Sequence, residues 1–318
     1  MYDSFQVAKF QVVLIAGPMG LHLPPYKGST LRGGFGLVFK KICCTQVNQS
    51  CADCLYRLLC AYANVFEAAP PPNSEVLKHI SEIPRPFVIE PPLDGKTFYS
   101  PGEPLVFNLV LIGQAISILP YFILAFKELG YVGIGKGRLP YMLKEVRELD
   151  AHNRPGAAVY IDASERVQLP QNILSLADLS EPPAAGGTLT VRFLTMTRLK
   201  YGQNLVTEIP FHVLARNLLR RVSTLHYFYH GLKQETGVNY QKLIKRAEQV
   251  KTVASNLQLV DWERYSHRQQ TRMNMAGLVG EATYSGEIAP FWPLFKLGEL
   301  VHVGKGCVFG LGQYRIVE

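Results

Sequence analysis

The chain carries an internal duplication. Phe126 and Lys127 precede Gly135, Lys136 and Gly137, while Phe295 and Lys296 precede Gly304, Lys305 and Gly306, and all five matches share one offset of 169 positions. In each copy an apolar segment of helical period comes first, Ile118 to Leu129 and Phe291 to Val301. The glycine loop follows, and then a run of strand type, Leu139 to Val146 and Gln313 to Val317. Repetition on this scale restricts the chain to two related halves, each ending in helix, glycine loop and strand. A length of 318 residues suits two domains of ordinary size.

The halves also open alike. Phe5 to Ala16 and Thr188 to Thr197 are β-rich runs, and each is followed by a helix. In the first half Ser29 or Thr30 can cap a helix with Leu31, Phe35, Val38, Phe39 and Ile42 on its apolar side. Gly33, Gly34 and Gly36 within it suggest a close neighbour, either RNA backbone or a packed sheet. In the second half the main helix is Pro210 to Gly231. Pro104 to Ile112 reads as a strand, and Gln258 to Ser285 as two strands joined near Gln270. Each half approximates β-α-β-β-α-β, so the expected class is α+β, two tandem ferredoxin-like domains with a C-terminal glycine-rich loop. The domains are expected at 1–180 and 188–318, joined by Glu181 to Gly187.

The first domain holds a cysteine-rich insertion. From Cys44 the spacing is C-x6-C-x2-C-x5-C, through Cys51 and Cys54 to Cys60, and Cys43 could substitute for Cys44. The tight pair suits a tetrahedral metal, so zinc is the favoured ligand over free thiols, a disulfide or an iron–sulfur cluster. Its role would be structural.

A net charge of +8 favours polyanionic partners. With 47% hydrophobic and 18% charged residues, the composition is that of a globular protein with a sizeable core. The most apolar stretch, Leu105 to Phe126, is broken by Asn108, Gly113, Gln114, Ser117 and Pro120, so no membrane span is expected. The N-terminus lacks the pattern of a signal peptide, and a cytoplasmic location follows as an expectation. Gly130 to Lys136 approaches a phosphate-binding G-x4-G-K loop, but Gly137 stands where Ser or Thr would bind magnesium, and the loop follows a helix instead of a strand. ATP hydrolysis is excluded on those grounds, and dinucleotide binding on the second.

The last segment holds Gly304, Lys305, Gly306, Gly310 and Gly312, a loop whose backbone amides could face a phosphate. This loop before the terminal strand, Gly280 to Gly286 ahead of it, Leu23 to Gly36, the cysteines and Leu218 to Ser223 together resemble the CRISPR-associated precursor-RNA processing endoribonucleases of the RAMP superfamily. The resemblance implies two RRM-like domains that bind the repeat RNA of a CRISPR transcript and cut it without a metal. The 2′-hydroxyl attacks the adjacent phosphate and leaves a 2′,3′-cyclic phosphate, with protein groups acting as base, acid and cation. In that family the acid/base group lies on or just before the first helix, which implies His22, with Tyr26 to orient and Lys27 to neutralise charge. His226 and His230 are rivals. Phosphates would be held by Gly304, Lys305, Gly306, Gly310 and Gly312, by Lys136, and by Arg220 and Arg221. The alternative is a non-catalytic RAMP subunit gripping guide RNA in a CRISPR effector complex; a zinc-containing nucleotide-binding enzyme is more remote. Expected partners are repeat RNA and effector-complex subunits, with the chain a monomer or homodimer.

Overall fold

The protein is described by a computed structural model covering residues 2–46, 49–70, 83–179, 187–231, 239–266 and 271–317. Most of the expected joint, 181–186, and the expected turn near Gln270 lie outside the described residues. Two compact units result. An N-terminal unit comprises Gln6–Leu174 with Phe228–Leu232, and a C-terminal unit comprises Met1–Phe5, Ser175–Tyr227 and Lys233–Glu318.

The N-terminal unit contains β1 (Val7–Ala16), β2 (Leu21–His22), α1 (Gly28–Cys43), α2 (Ala61–Val65), β3 (Phe87–Glu90), β4 (Phe98–Tyr99), β5 (Pro104–Ile112), α3 (Leu119–Val132), β6 (Tyr141–Leu149) and β7 (Pro155–Ile161). β1, rich in β-branched and aromatic residues, is buried at almost every position and pairs antiparallel with β5 and β6. The sheet order is β3-β5-β1-β6-β7. Without β7 this is the ferredoxin-like arrangement, its helices α1 and α3 joined by aromatic packing. The Phe35 ring stacks on Phe122 at 4.7 Å and on Phe126 at 5.0 Å. The sheet itself carries a buried ion pair, Lys9 Nζ on β1 to Glu90 Oε2 on β3 at 2.7 Å, with Asn108 on β5 donating to the same carboxylate.

Two expectations about α1 change. The helix starts at Gly28 with Lys27 at the cap position, so Ser29 and Thr30 lie inside its first turn and neither caps it. A Cβ on Gly36 would stand 2.4 Å from the Phe66 ring, and one on Gly34 would stand 3.0 Å from Leu129. Packing within the unit therefore accounts for these two glycines, while Gly33 faces open space. Residues Gly113–Val132 form a continuous helical stretch long and apolar enough, by composition, to cross a membrane, but half of it is buried within the unit, including Phe122 and Phe126. That is how a core helix behaves.

The C-terminal unit contains β8 (Thr188–Thr197), β9 (Lys200–Tyr201), β10 (Asn204–Leu205), α4 (Phe211–Tyr229), α5 (Tyr240–Ala247), β11 (Lys251–Val260), β12 (Glu263–Ser266), β13 (Thr271–Asn274), β14 (Gly277–Ser285), α6 (Trp292–Val301) and β15 (Tyr314–Val317). Its main sheet runs β11-β14-β8-β15, which is the first sheet's order repeated. β11 begins at Lys251, seven positions before the expected Gln258. The reason is that β11 is exposed at nearly every position, so no apolar alternation marks it; pairing with β14 defines it instead, Leu257 against Gly280.

The duplication is visible in individual bonds. Tyr141 Oη donates to the Phe126 carbonyl at 2.6 Å, and Tyr314 Oη donates to the Phe295 carbonyl at 2.6 Å. The Ile134 amide donates to Leu139 and the Val303 amide to Gly312, each closing its own glycine loop. Each loop thus hangs between its helix and its strand at the same place in its unit.

Candidate nucleic-acid interface

In the N-terminal unit the first glycine loop lies behind His22. The Lys136 amide donates to the His22 carbonyl at 2.9 Å, and a Cβ on Gly135 would stand 2.1 Å from that oxygen. Glycine is required there by contact with protein backbone. His22 itself is exposed on the two-stranded ribbon of β2 and β4, its ring 4.7 Å from that of Phe98. The Lys136 side chain is also exposed, and the backbone bond brings together two residues that stand far apart in sequence.

Lys27 does not join them. Its side chain is fully buried, and its ammonium is held by Asp94 Oδ1 at 2.8 Å and by the Pro25 carbonyl at 3.2 Å. A cation so enclosed and neutralised cannot meet a phosphate; it anchors the connector before α1. Asp94 is the hub of this anchor. Burial alone would raise its carboxyl, but hydrogen bonds from Lys27, the Lys96 amide and Tyr99 hold it below the usual range. Tyr26 is half-buried at the end of the same connector.

The rival histidines serve packing. His226 is buried, with its ring edge-on to Tyr2 at 5.6 Å and Nε2 2.9 Å from the Ser4 hydroxyl. His230 Nε2 accepts the Gln6 amide at 2.8 Å.

In the C-terminal unit the second loop repeats the backbone bond of the first, with the Lys305 amide donating to the Arg198 carbonyl at 3.0 Å. Arg198 thus takes the place that His22 holds in the first unit. The expectation that the loop's glycine amides cradle a phosphate is revised. Gly310 and Gly312 are buried, and their amides donate to Cys307 and Met196. A Cβ on Gly312 would lie 1.8 Å from the Val303 carbonyl, so this glycine serves loop closure. Gly304, Lys305 and Gly306 form the accessible part.

What surrounds Lys305 is more telling than the loop. Partial burial lowers its pKa first, and then Lys200, Arg198 and Arg220 lower it further; among the described residues the charged neighbours acting on it are these cations. Like charges so gathered repel one another, and an anion placed among them removes that cost. Arg220 is exposed on α4. Arg221 is not: it is buried, and its Nε donates to the Val301 carbonyl at 2.8 Å, so it ties α4 to α6 and leaves the phosphate-binding set. Sequence reasoning missed Arg198 and Lys200. Their only signal was their place after the opening strand, matching His22 in the other copy.

The zinc expectation finds no support among the described residues. Cys44, Cys51, Cys54 and Cys60 are half-buried free thiols, as is Cys43. Among the described residues, no three His, Cys, Asp or Glu side chains are arranged to hold a metal. Burial first and then the neighbouring Cys60 push the Cys43 thiol up to about 11.

Comparison with known proteins agrees with this architecture. Residues 5–172 match the AF_1859_N family, described as an N-terminal domain, and residues 191–314 match the family described as CRISPR-associated endoribonuclease Cas6. The first of these matches spans more than half of the chain, so the chain belongs to the family that carries the AF_1859_N N-terminal domain. An uncharacterized protein of Archaeoglobus fulgidus is 26% identical over 301 residues, 93% of each chain. A Cas6 product complex superposes with a TM-score of 0.57 at 16% identity, covering 98% of this chain and 99% of the other. Thermus thermophilus Cas6 superposes at 0.54 with 15% identity, covering 98% and 99%. A partial complex containing Cas6, RT, Cas1 and Cas2 gives 0.53 at 13% identity, covering 98% of this chain and 46% of that one. At such identities the structural matches speak to the fold, which is this chain's tandem ferredoxin-like arrangement.

Proposed function

We propose that this chain cuts CRISPR precursor RNA within its repeats by attack of the ribose 2′-hydroxyl on the adjacent phosphate, with no metal ion in the chemical step. The observation that supports the reading best is the cation cluster of Arg198, Lys200, Arg220 and Lys305, which suits a phosphate backbone. In the cut the 2′-oxygen bonds to phosphorus as the bond to the 5′-oxygen breaks, leaving a 2′,3′-cyclic phosphate and a 5′-hydroxyl. A base must take the 2′-proton, and an acid must supply one to the leaving oxygen. Imidazole does either near neutral pH, and His22 is the exposed imidazole beside the connector to α1. Tyr26 orients the ribose or phosphate. Lys136 takes the charge-neutralising part that Lys27, paired with Asp94, is unable to play.

The test uses purified protein, labelled repeat RNA and EDTA. The expected result is one cut per repeat with a cyclic phosphate end, and a His22→Ala variant slower in single turnover by about 10² to 10⁴ with nearly unchanged RNA affinity. A wild-type rate in His22→Ala would remove the imidazole from the mechanism. Binding without any cut by the wild-type chain would favour a guide-RNA-holding subunit of an effector complex.

A further inference from the structure

Beside the cation cluster stands a group that phosphate binding does not use. Tyr201 ends β9, with 46% of its surface exposed at the tip of a hairpin closed by Gly202. Gly202 has φ +60°, and a Cβ placed on it would meet no atom within 4 Å, so the tip stands clear of the rest of the unit. The hairpin is nonetheless fixed. Asn217 Nδ2 donates to the Lys200 carbonyl at 3.1 Å, and the Val206 amide donates to Leu199 at 3.0 Å.

One face of the Tyr201 ring is already occupied. The Arg216 guanidinium lies over it, 5.6 Å from the centroid, and the His212 ring meets it at 5.5 Å and 77°. His212, Arg216 and Arg220 recur at intervals of four along α4, so they share one face of the helix. From His212 to Arg220 that row runs about 12 Å, at about 1.5 Å per residue. One end of the row meets Tyr201, and the other reaches the neighbourhood of Lys305. An aromatic ring on a fixed hairpin, backed by a cation and about half exposed, is the arrangement on which unpaired bases stack.

We propose that Tyr201 is a stacking platform for one unpaired base of the bound RNA, with Arg216 behind the ring and the flanking phosphates on Arg220, Lys200 and Lys305. This rests on the RNA-binding reading above. A base held in a duplex has no free face for the ring, so the subsite selects a single-stranded nucleotide beside the phosphate cluster. Stacking is tolerant of base identity, and the subsite therefore positions the strand without reading its sequence.

The experiment places 2-aminopurine at successive unpaired positions of a repeat RNA and measures its fluorescence and affinity with wild-type protein, Tyr201→Ala, Tyr201→Trp and Lys305→Ala. Wild-type protein should change the fluorescence strongly at one position. Tyr201→Ala should abolish that change and weaken binding about tenfold, with the salt dependence of affinity retained, while Tyr201→Trp restores both. Lys305→Ala should lower the salt dependence and keep the fluorescence change. Equal affinity and an unaltered signal in Tyr201→Ala would overturn the stacking subsite while leaving RNA binding intact. No binding of repeat RNA by the wild-type chain would overturn the RNA reading itself.

Discussion

At the scale of single residues, the glycines divide by what surrounds them. Gly312 has φ +69° and a Cβ there would collide with the Val303 carbonyl, whereas Gly33 lies in α1 with open space about it. Gly312→Ala should therefore lose about 3 kcal/mol or more of stability in a denaturant titration, through strain and collision together. Gly33→Ala should gain roughly 0.5 to 1 kcal/mol, since alanine restricts the unfolded chain at no steric cost. Similar losses in both variants would show that the loop relaxes around a side chain. His302 gives the complementary lesson. With φ 63° it occupies the place of Gly133, φ 81°, in the other copy, and both amides close their helices, on Gly298 and Leu129. The duplicated backbone has kept its left-handed turn while changing the residue that makes it. Full burial and a contact of Nδ1 with the Leu311 carbonyl at 3.1 Å accompany the non-glycine residue.

At the scale of elements, the ribbon of β2 and β4 depends on the ion pair beneath it. Lys27 is buried and Asp94 is 46% exposed, so the weight of the interaction falls on the ammonium, which would otherwise lie unpaired inside the protein. Asp94→Asn should cost roughly 2 kcal/mol, mostly from that unpaired cation and little from the exposed carboxylate. The pH dependence follows from the direction of the shift. Burial opposes it, but the partners of Asp94 hold its folded pKa below the model-peptide value of about 3.9. Its contribution is thus fully present above that unfolded value and is lost as pH falls through the lower folded one. Melting temperature measured from pH 6 to pH 2, as order-of-magnitude endpoints for carboxylate titration, should fall less steeply in Asp94→Asn than in the wild type. Parallel curves would show that Asp94 does not titrate with folding.

For the whole molecule, the excess of +8 makes attraction to a polyanion long-ranged, but the decisive charges are those grouped round Lys305. RNA affinity should fall steeply with salt, and Lys305→Ala should reduce the log–log slope by about 0.7, the share of one phosphate on a single strand. An unchanged slope would move the phosphate path away from this cluster. The two-part architecture was readable in the chain because five matched positions and two glycine loops repeat at one offset, and loop glycines at left-handed turns leave such marks. Strands with buried faces, Pro104–Ile112 and Thr188–Thr197, were readable for the same local reason: alternation and β-branched residues record burial. β11 was not, since an exposed strand is defined only by its partner. Nor could the sequence tell that Lys27 is buried on Asp94, that Arg220 faces outward while Arg221 faces Val301, or that Arg198 and Lys200 crowd Lys305. Chemical type and periodicity are local properties written residue by residue. Whether a cation is neutralised, enclosed or left facing others of its kind depends on groups brought from distant parts of the chain, and that is decided only when the sheets and helices pack.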